Sequence, residues 1–290
     1  MLDNFKKHSS LLAATALLGC LTMSQSQAAD LDTIKSRNTI RIAVANEIPY
    51  GYTDMNGEAK GAGPDVAKHI VDELGIDNIK WVTTSFSSLI PGLKADRFDM
   101  VAAEMAILPD RCKQAEFSQP NSSYGEGLLV QKGNPKNIHA FSDFADRDDI
   151  KVAIMSGADQ LEMLQKLGVP QDRIVQISSN ADAISTVSTG RADAYAATGL
   201  TASNLAGKSD NVVVVKEFKD PVIDGKEVRS WGGFTFASGN DALRDAVNKE
   251  LTQYKKTDEW RNTLAQYGFT ETDIKASFDH STQELCSADK

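Results

Sequence analysis

An α/β fold arranged as two lobes follows from three observations on the 290-residue chain. Short β-branched runs alternate with helical stretches, the rhythm restarts after Gly133-Asn134-Pro135, and two amphipathic segments close the chain behind one more strand. Taken in order, Thr39-Ile40-Arg41-Ile42-Ala43-Val44-Ala45 alternates with period two and reads as a strand. Gly63-Pro64-Asp65 opens a helix through Val66, Ile70, Val71 and Leu74, since the fixed φ and missing N–H of proline suit a first turn. Residues 80–84 form a second strand, 89–94 a short helix and 98–103 a third strand. Strands separated by helices pair in parallel, as βαβ units. In the second half, 150–154 is a strand, Ser156-Gly157 a turn into a helix carrying Leu161 and Leu164, and 174–177 another strand. A helix at 181–189 and strands at 192–197 and 212–215 follow. The last strand is 234–237, and residues 241–254 and 258–267 place apolar side chains at helical spacing.

Composition narrows the function. With 41% hydrophobic and 24% charged residues the chain is globular rather than disordered. Its formal charge is −9 and no basic block exceeds two residues, which argues against nucleic acid, because phosphate binding needs a clustered positive footprint. The one sustained apolar run, residues 11–23 behind Lys6-Lys7-His8, is shorter than the ~20 residues that span a bilayer and reads as a signal peptide over 1–28. Ser26-Gln27-Ala28 supplies the small residues for cleavage before Ala29, giving a periplasmic protein. Leu17-Leu18-Gly19-Cys20 is a competing lipobox that would acylate Cys20. Without the leader only Cys112 and Cys286 remain, in a compartment that oxidises thiols. A bridge between them is expected to tie the C-terminal tail to the body, at about 4 to 5 kcal/mol in the chain-entropy model, with two unconnected thiols as the alternative. The four histidines, at 8, 69, 139 and 280, have no ligand spacing, so no metal or other cofactor is expected. Nothing forms a Ser-His-Asp array, a Walker loop or a zinc signature, so an enzyme is not expected either.

Several phrases carry a family resemblance. Residues 35–63, "GLKADRFDMVAAEMAILPDRCKQAEFSQP" at 92–120, "GRADAYAATGLTASNLA" at 190–206 and "NDALRDAVNKELTQYKKTDEWRNTLAQYGF" near the end resemble the family 3 periplasmic solute-binding proteins of ABC importers. Within that family, "ANEIPYGY" at 45–52, "FSSLIPGLKA" at 86–95 and "PDRC" at 109–112 are most similar to the ectoine and hydroxyectoine binders. The resemblance implies a type II (Venus-flytrap) fold: two α/β lobes, two hinge strands and a small solute clamped between them for delivery to a membrane permease, by a monomer. It puts the first lobe at 29–132 and 235–290 and the second at 133–234. The hinge strands would lie at 128–132 and 233–237, bracketed by Gly127, Gly133, Gly232, Gly233 and Gly239. A cationic or polar amino-acid or opine binder is an alternative on the same fold, and a cyclohexadienyl-dehydratase-like enzyme a second one.

The resemblance also implies a site. Arg111 matches the arginine with which the family holds a ligand carboxylate, a task suited to a guanidinium fork; the alternative is a surface salt bridge to Asp110 or Glu116. Ser156, Gly157 and Ala158 would start a helix whose free N–H groups cradle that carboxylate from the second lobe. Glu47, Tyr50 and Phe86 match an acid and two aromatics of the ectoine binders, whose ring faces attract a cation; core packing is the alternative for the rings. Thr198 stands where amino-acid binders usually carry an Asp, and cannot supply that charge. Ala106 stands where ectoine binders have a third aromatic, leaving the cage one wall short, and Trp231 is the candidate replacement. Glu104 adds negative charge near the cleft, so the pocket should prefer a net neutral or positive ligand.

Overall fold

The structure, a computed structural model, describes residues 30–287. The leader at 1–28, its cleavage site and Cys20 lie outside the described residues.

Two sheets organise the chain. The first runs in the order Asn78–Thr83, Thr39–Val44, Met100–Ala106, Ser230–Phe236, Glu116–Phe117, with Ser122–Tyr124 also pairing to Ser230–Phe236. Its first three strands are parallel, with Ile42 opposite Trp81 on one side and Met100 on the other, while Ser230–Phe236 runs antiparallel to Met100–Ala106. Met100–Ala106 is buried on both faces because period-two alternation sends its side chains into two different cores. Met100 and Ala102 join Ile40, Ile42 and the Val66, Ile70 and Val71 face of helix Ala62–Glu73. Val101 and Ala103 join Ala43, Leu89, Leu93 and Phe98 on the opposite face.

The second sheet runs Ile174–Ile177, Val152–Met155, Ala194–Thr198, Glu126–Gln131, Val212–Val214. Its outer core holds Leu128, Val130, Phe141, Phe144, Val152 and Ile154. A disulfide joins Cys112 to Cys286 across 174 residues, with Cα atoms 5.7 Å apart, and holds helix Thr282–Ser287 to helix Pro109–Cys112.

The changeovers between sheets fall earlier than the expected boundaries at 132 and 234. Ser122 pairs with Gly232 in the first sheet, whereas Glu126 pairs with Thr198 in the second, so the chain crosses at Gly125. On the return, Val228 packs into the second core and Ser230 already belongs to the first sheet. Strand Glu126–Gln131 therefore lies within the second lobe, between two antiparallel neighbours, and Ser230–Phe236 within the first. The glycines expected to bracket the hinges have other reasons to be there. A Cβ on Gly127 would come within 2.8 Å of Gly199 Cα, and one on Gly232 within 2.7 Å of Glu104 O, so both permit close backbone approach. Gly133 and Gly239 occupy turns at φ 81° and 84°.

Candidate functional site

The parallel strands of both sheets end toward one crevice, the region where open α/β sheets bind ligands. After Thr39–Val44 the chain folds into a tight loop closed by Glu47 N donating to Gly51 O at 3.0 Å and Gly51 N to Glu47 O at 2.9 Å. The loop lies directly on strand Met100–Ala106: a Cβ on Gly51 would come within 2.4 Å of Ala102 O. It presents Glu47 and Tyr50 to the crevice. Phe86 arrives from the short helical turn Phe86–Ser88, and Arg111 from helix Pro109–Cys112 just beyond the central strand.

These residues meet others from the second lobe around a narrow cavity of about 20 Å³. Glu47, Tyr50, Phe86, Glu104, Ala106, Arg111, Ala158 and Thr198 all line it. The lobes are closed over it. Tyr50 Oη donates to Thr198 Oγ1 at 2.8 Å, Thr201 Oγ1 to Glu47 Oε1 at 3.1 Å, and Arg111 Nη2 to Gly157 O at 2.9 Å. Gly157 sits so near the opposite lobe that a Cβ would reach within 3.0 Å of Ser87 Cα.

Arg111 lies on the cavity wall rather than in a surface ion pair. Nη1 donates to Ala106 O at 2.9 Å, and the guanidinium carbon lies 5.5 Å from the centre of the Phe86 ring. The carboxylates that could have neutralised it are engaged elsewhere, Asp110 with Lys113 and Glu116 with Arg244. Phe86 thus lines the cavity and also supports the arginine.

Three acidic residues also stand on the lining. Burial pushes Glu47 from the ordinary 4.5 up to about 7, even though Thr201 donates to it. Burial also raises Glu104, whose carboxylate turns into the first lobe to accept from Asn121 Nδ2 at 2.7 Å and from Ser122 Oγ. Asp159 is a third buried carboxylate on the lining.

Three expected residues are placed differently. Ser156 and Gly157 do not line the cavity, and the helix begins later, at Gln160, with Gly157 at φ 86° delaying it. The amides of Ser156 and Ala158 are already donated to Ile177 O and Met155 O, and the group Gly157 turns toward Arg111 is its carbonyl, so this segment forms no N–H cradle. Trp231 does not wall the cavity: its Nε1 donates to Ala276 O at 2.7 Å and its ring meets His280 edge-on at 4.5 Å. Strand alternation explains this, because the neighbouring Ser230 turns toward Asp159 and Trp231 faces the other way. The aromatic lining beyond Tyr50 and Phe86 comes instead from Tyr124 and Tyr195, which sequence reasoning missed together with Met155, Asp159 and Gln160. Among the described residues no cluster of three or more His, Cys, Asp or Glu side chains is arranged to hold a metal.

The sequence model of the bacterial extracellular solute-binding proteins, family 3, matches residues 40–271. The chain belongs to that family. One member, a probable amino-acid ABC transporter periplasmic-binding protein of Sinorhizobium fredii, is 54% identical over 94% of this chain and 91% of its own length. Among solved structures of the fold, EhuB in complex with hydroxyectoine superposes with a TM-score of 0.80 at 30% identity, covering 89% of this chain and 97% of that one. An ancestral amino acid-binding protein, a precursor of cyclohexadienyl dehydratase, gives 0.71 at 30% identity over 81% and 98%. The fold is thus the two-lobed α/β architecture of solute-binding proteins.

Proposed function

We propose that this protein is the extracytoplasmic substrate-binding component of an ABC importer and captures a small zwitterionic or cationic solute, with ectoine or hydroxyectoine first among the candidates. The observation that carries the reading is one guanidinium, Arg111, set among the buried carboxylates Glu47, Glu104 and Asp159 in a cavity closed by both lobes. Arg111 would exchange a backbone carbonyl for the ligand's carboxylate, a stronger charge-assisted partner. Glu47, with Tyr50, Tyr124 and Tyr195 beside it, would face the positive part. Ectoine, the alternative cationic amino acids and opines all combine a carboxylate with a delocalised or extended cation. Thr198 offers no charge of its own; it accepts from Tyr50 and caps the helix Gly199–Ala206. The solved hydroxyectoine complex of a relative supports the ectoine reading, and Asp159 favours cationic amino acids as the second.

The mechanism is a two-state clamp. Contacts from both lobes coexist only in the closed form, so a ligand that makes both shifts the population toward closure, and a permease reads the closed pair of surfaces. Export with cleavage before Ala29, and action as a monomer, complete the proposal. A thermal-shift panel of ectoine, hydroxyectoine, opines and the twenty amino acids tests it. Bound ligand at a hundredfold its Kd stabilises by about 2.7 kcal/mol. Response only to anionic or uncharged compounds would refute the charge reading, and turnover of prephenate or arogenate would point to an enzyme instead.

A further inference from the structure

Asp159 immediately precedes helix Gln160–Lys166, a place where an aspartate ordinarily accepts from the first-turn amides. Here its side chain makes no such bond. It is buried on the cavity wall and accepts from Ser230 Oγ at 2.9 Å. Next to it is Glu126, the first residue past the lobe crossing at Gly125. Glu126 stands opposite Thr198 in the antiparallel register, so the two side chains share a face of the sheet; Thr198 lines the cavity, and Glu126 lies behind the lining residue Gln160. Gln160, itself on the lining, donates to Glu126 Oε2 at 2.6 Å, while Oε1 is buried with no hydrogen-bond partner. Glu126 is only 5% exposed, and a buried oxygen without a donor is destabilising. Such an atom is an acceptor waiting for an N–H.

We propose that Asp159 and Glu126 form a cation subsite in the second lobe that selects head groups bearing N–H bonds, such as an alkylammonium, guanidinium or amidinium, over quaternary ammonium. The inference rests on the solute-capture reading above and adds which residues and which cation chemistry decide the ligand. An N–H donor satisfies Glu126 Oε1 and pairs with Asp159, whereas a quaternary nitrogen has no hydrogen to give. Burial, reinforced by Asp159, Asp220 and Glu47, pushes the Glu126 carboxyl well above the usual range, and a cation beside it lowers it again. The groups around this carboxyl are Asp159 and Gln160 from the helix start, Asp220 from the returning segment, and Glu47 and Tyr50 from the first lobe; Arg229, paired with Asp273, lies near Asp220. A proton held there leaves to buffer as the cation binds: the O–H bond breaks and the carboxylate keeps the electron pair. Binding of an N–H cation therefore gives a net proton release.

The test is calorimetry at pH 7 on the wild type, Asp159→Asn and Glu126→Gln, with L-arginine, ectoine and glycine betaine as probes, in phosphate and in Tris, whose ionisation heats differ. The expected result is a net proton release with arginine or ectoine that is smaller in Glu126→Gln, because proton release on binding reports a pKa that the ligand lowers. Asp159→Asn should weaken both N–H cations about 30-fold or more, as for truncating a buried charge pair. Glycine betaine should bind the wild type about tenfold or more weakly than either, for want of a donor to Oε1. Both substitutions are isosteric, and because Glu47 also titrates near neutrality the share of Glu126 is the difference in proton release between wild type and Glu126→Gln. Unchanged affinity in Asp159→Asn, equal proton release from wild type and Glu126→Gln, or betaine binding as tightly as ectoine overturns the subsite while leaving solute capture standing. Failure of arginine and ectoine alike to bind the wild type overturns the cation reading of the cleft and this subsite with it.

Discussion

Replacing Glu47 with Gln should remove a defined part of the protein's pH dependence. Glu47 is fully buried between the lobes, and its carboxyl moves from 4.5 in water to about 7 in the folded protein. A carboxyl raised in this way binds its proton more tightly folded than unfolded. Its contribution is therefore greatest in acid and disappears as pH climbs from the unfolded value toward 7. Each pH unit across that window is about 1.4 kcal/mol, so the full span amounts to about 3 kcal/mol, of which about 2 to 3 kcal/mol falls between pH 5 and pH 8. Glutamine keeps an acceptor for Thr201 Oγ1 and cannot ionise. Burial also raises Glu104 and Glu126, so the absolute profile of the wild type contains more than one group. The difference between wild type and variant isolates Glu47. Urea unfolding of both proteins at pH 5 and pH 8 reads it directly: the wild type should lose about 2 to 3 kcal/mol more than Glu47→Gln on going to pH 8. Profiles that run parallel within about 0.5 kcal/mol would refute the argument that burial between closed lobes controls this carboxyl.

Other substitutions probe the remaining parts of the account. Arg111→Ala removes the carboxylate anchor and should weaken zwitterionic ligands by about 2 to 5 kcal/mol in calorimetry; wild-type affinity would refute the role. Phe86→Ala removes the ring 5.5 Å from the Arg111 guanidinium, so affinity should fall by about 1 kcal/mol for every carboxylate-bearing ligand, cationic or not. Cys286→Ser opens the link across 174 residues and should lower the urea-derived stability by as much as about 5 kcal/mol, an effect absent if the tail contributes nothing to global folding.

The alternation of strands and helices was legible because both lobes repeat a strong period-two and period-3.6 rhythm. Strand Thr39–Val44 and helices Asp241–Tyr254 and Asp258–Gln266 stand within a residue of where the pattern put them. The crossings were not legible, for a local reason. Ser122–Tyr124 and Glu126–Gln131 are separated by Gly125 alone, and only their partners show that they belong to different sheets. Ser230–Phe236 was obscured by Gly232 and Gly233, which suggest a loop, although Gly232 is what allows this strand to lie against Glu104 O. Much of the site was visible through motif resemblance, which fixes position along the chain but not the face a side chain takes. That is why Arg111 and Tyr50 reach the cavity while Trp231 turns to Ala276. Asp159 escaped notice because the helix was expected to start at Ser156, which put Asp159 inside its first turn, and only the structure shows it before the helix and turned to Ser230 and the cavity.

The most direct test of the central claim is a calorimetric titration of the purified wild type at neutral pH with ectoine, hydroxyectoine and L-arginine, alongside a dicarboxylate such as glutarate. A cleft with one guanidinium among buried carboxylates should give saturable, one-site binding with at least one of the first three compounds and no heat with glutarate. Tight binding of glutarate with no response to the zwitterions or to arginine would contradict the account.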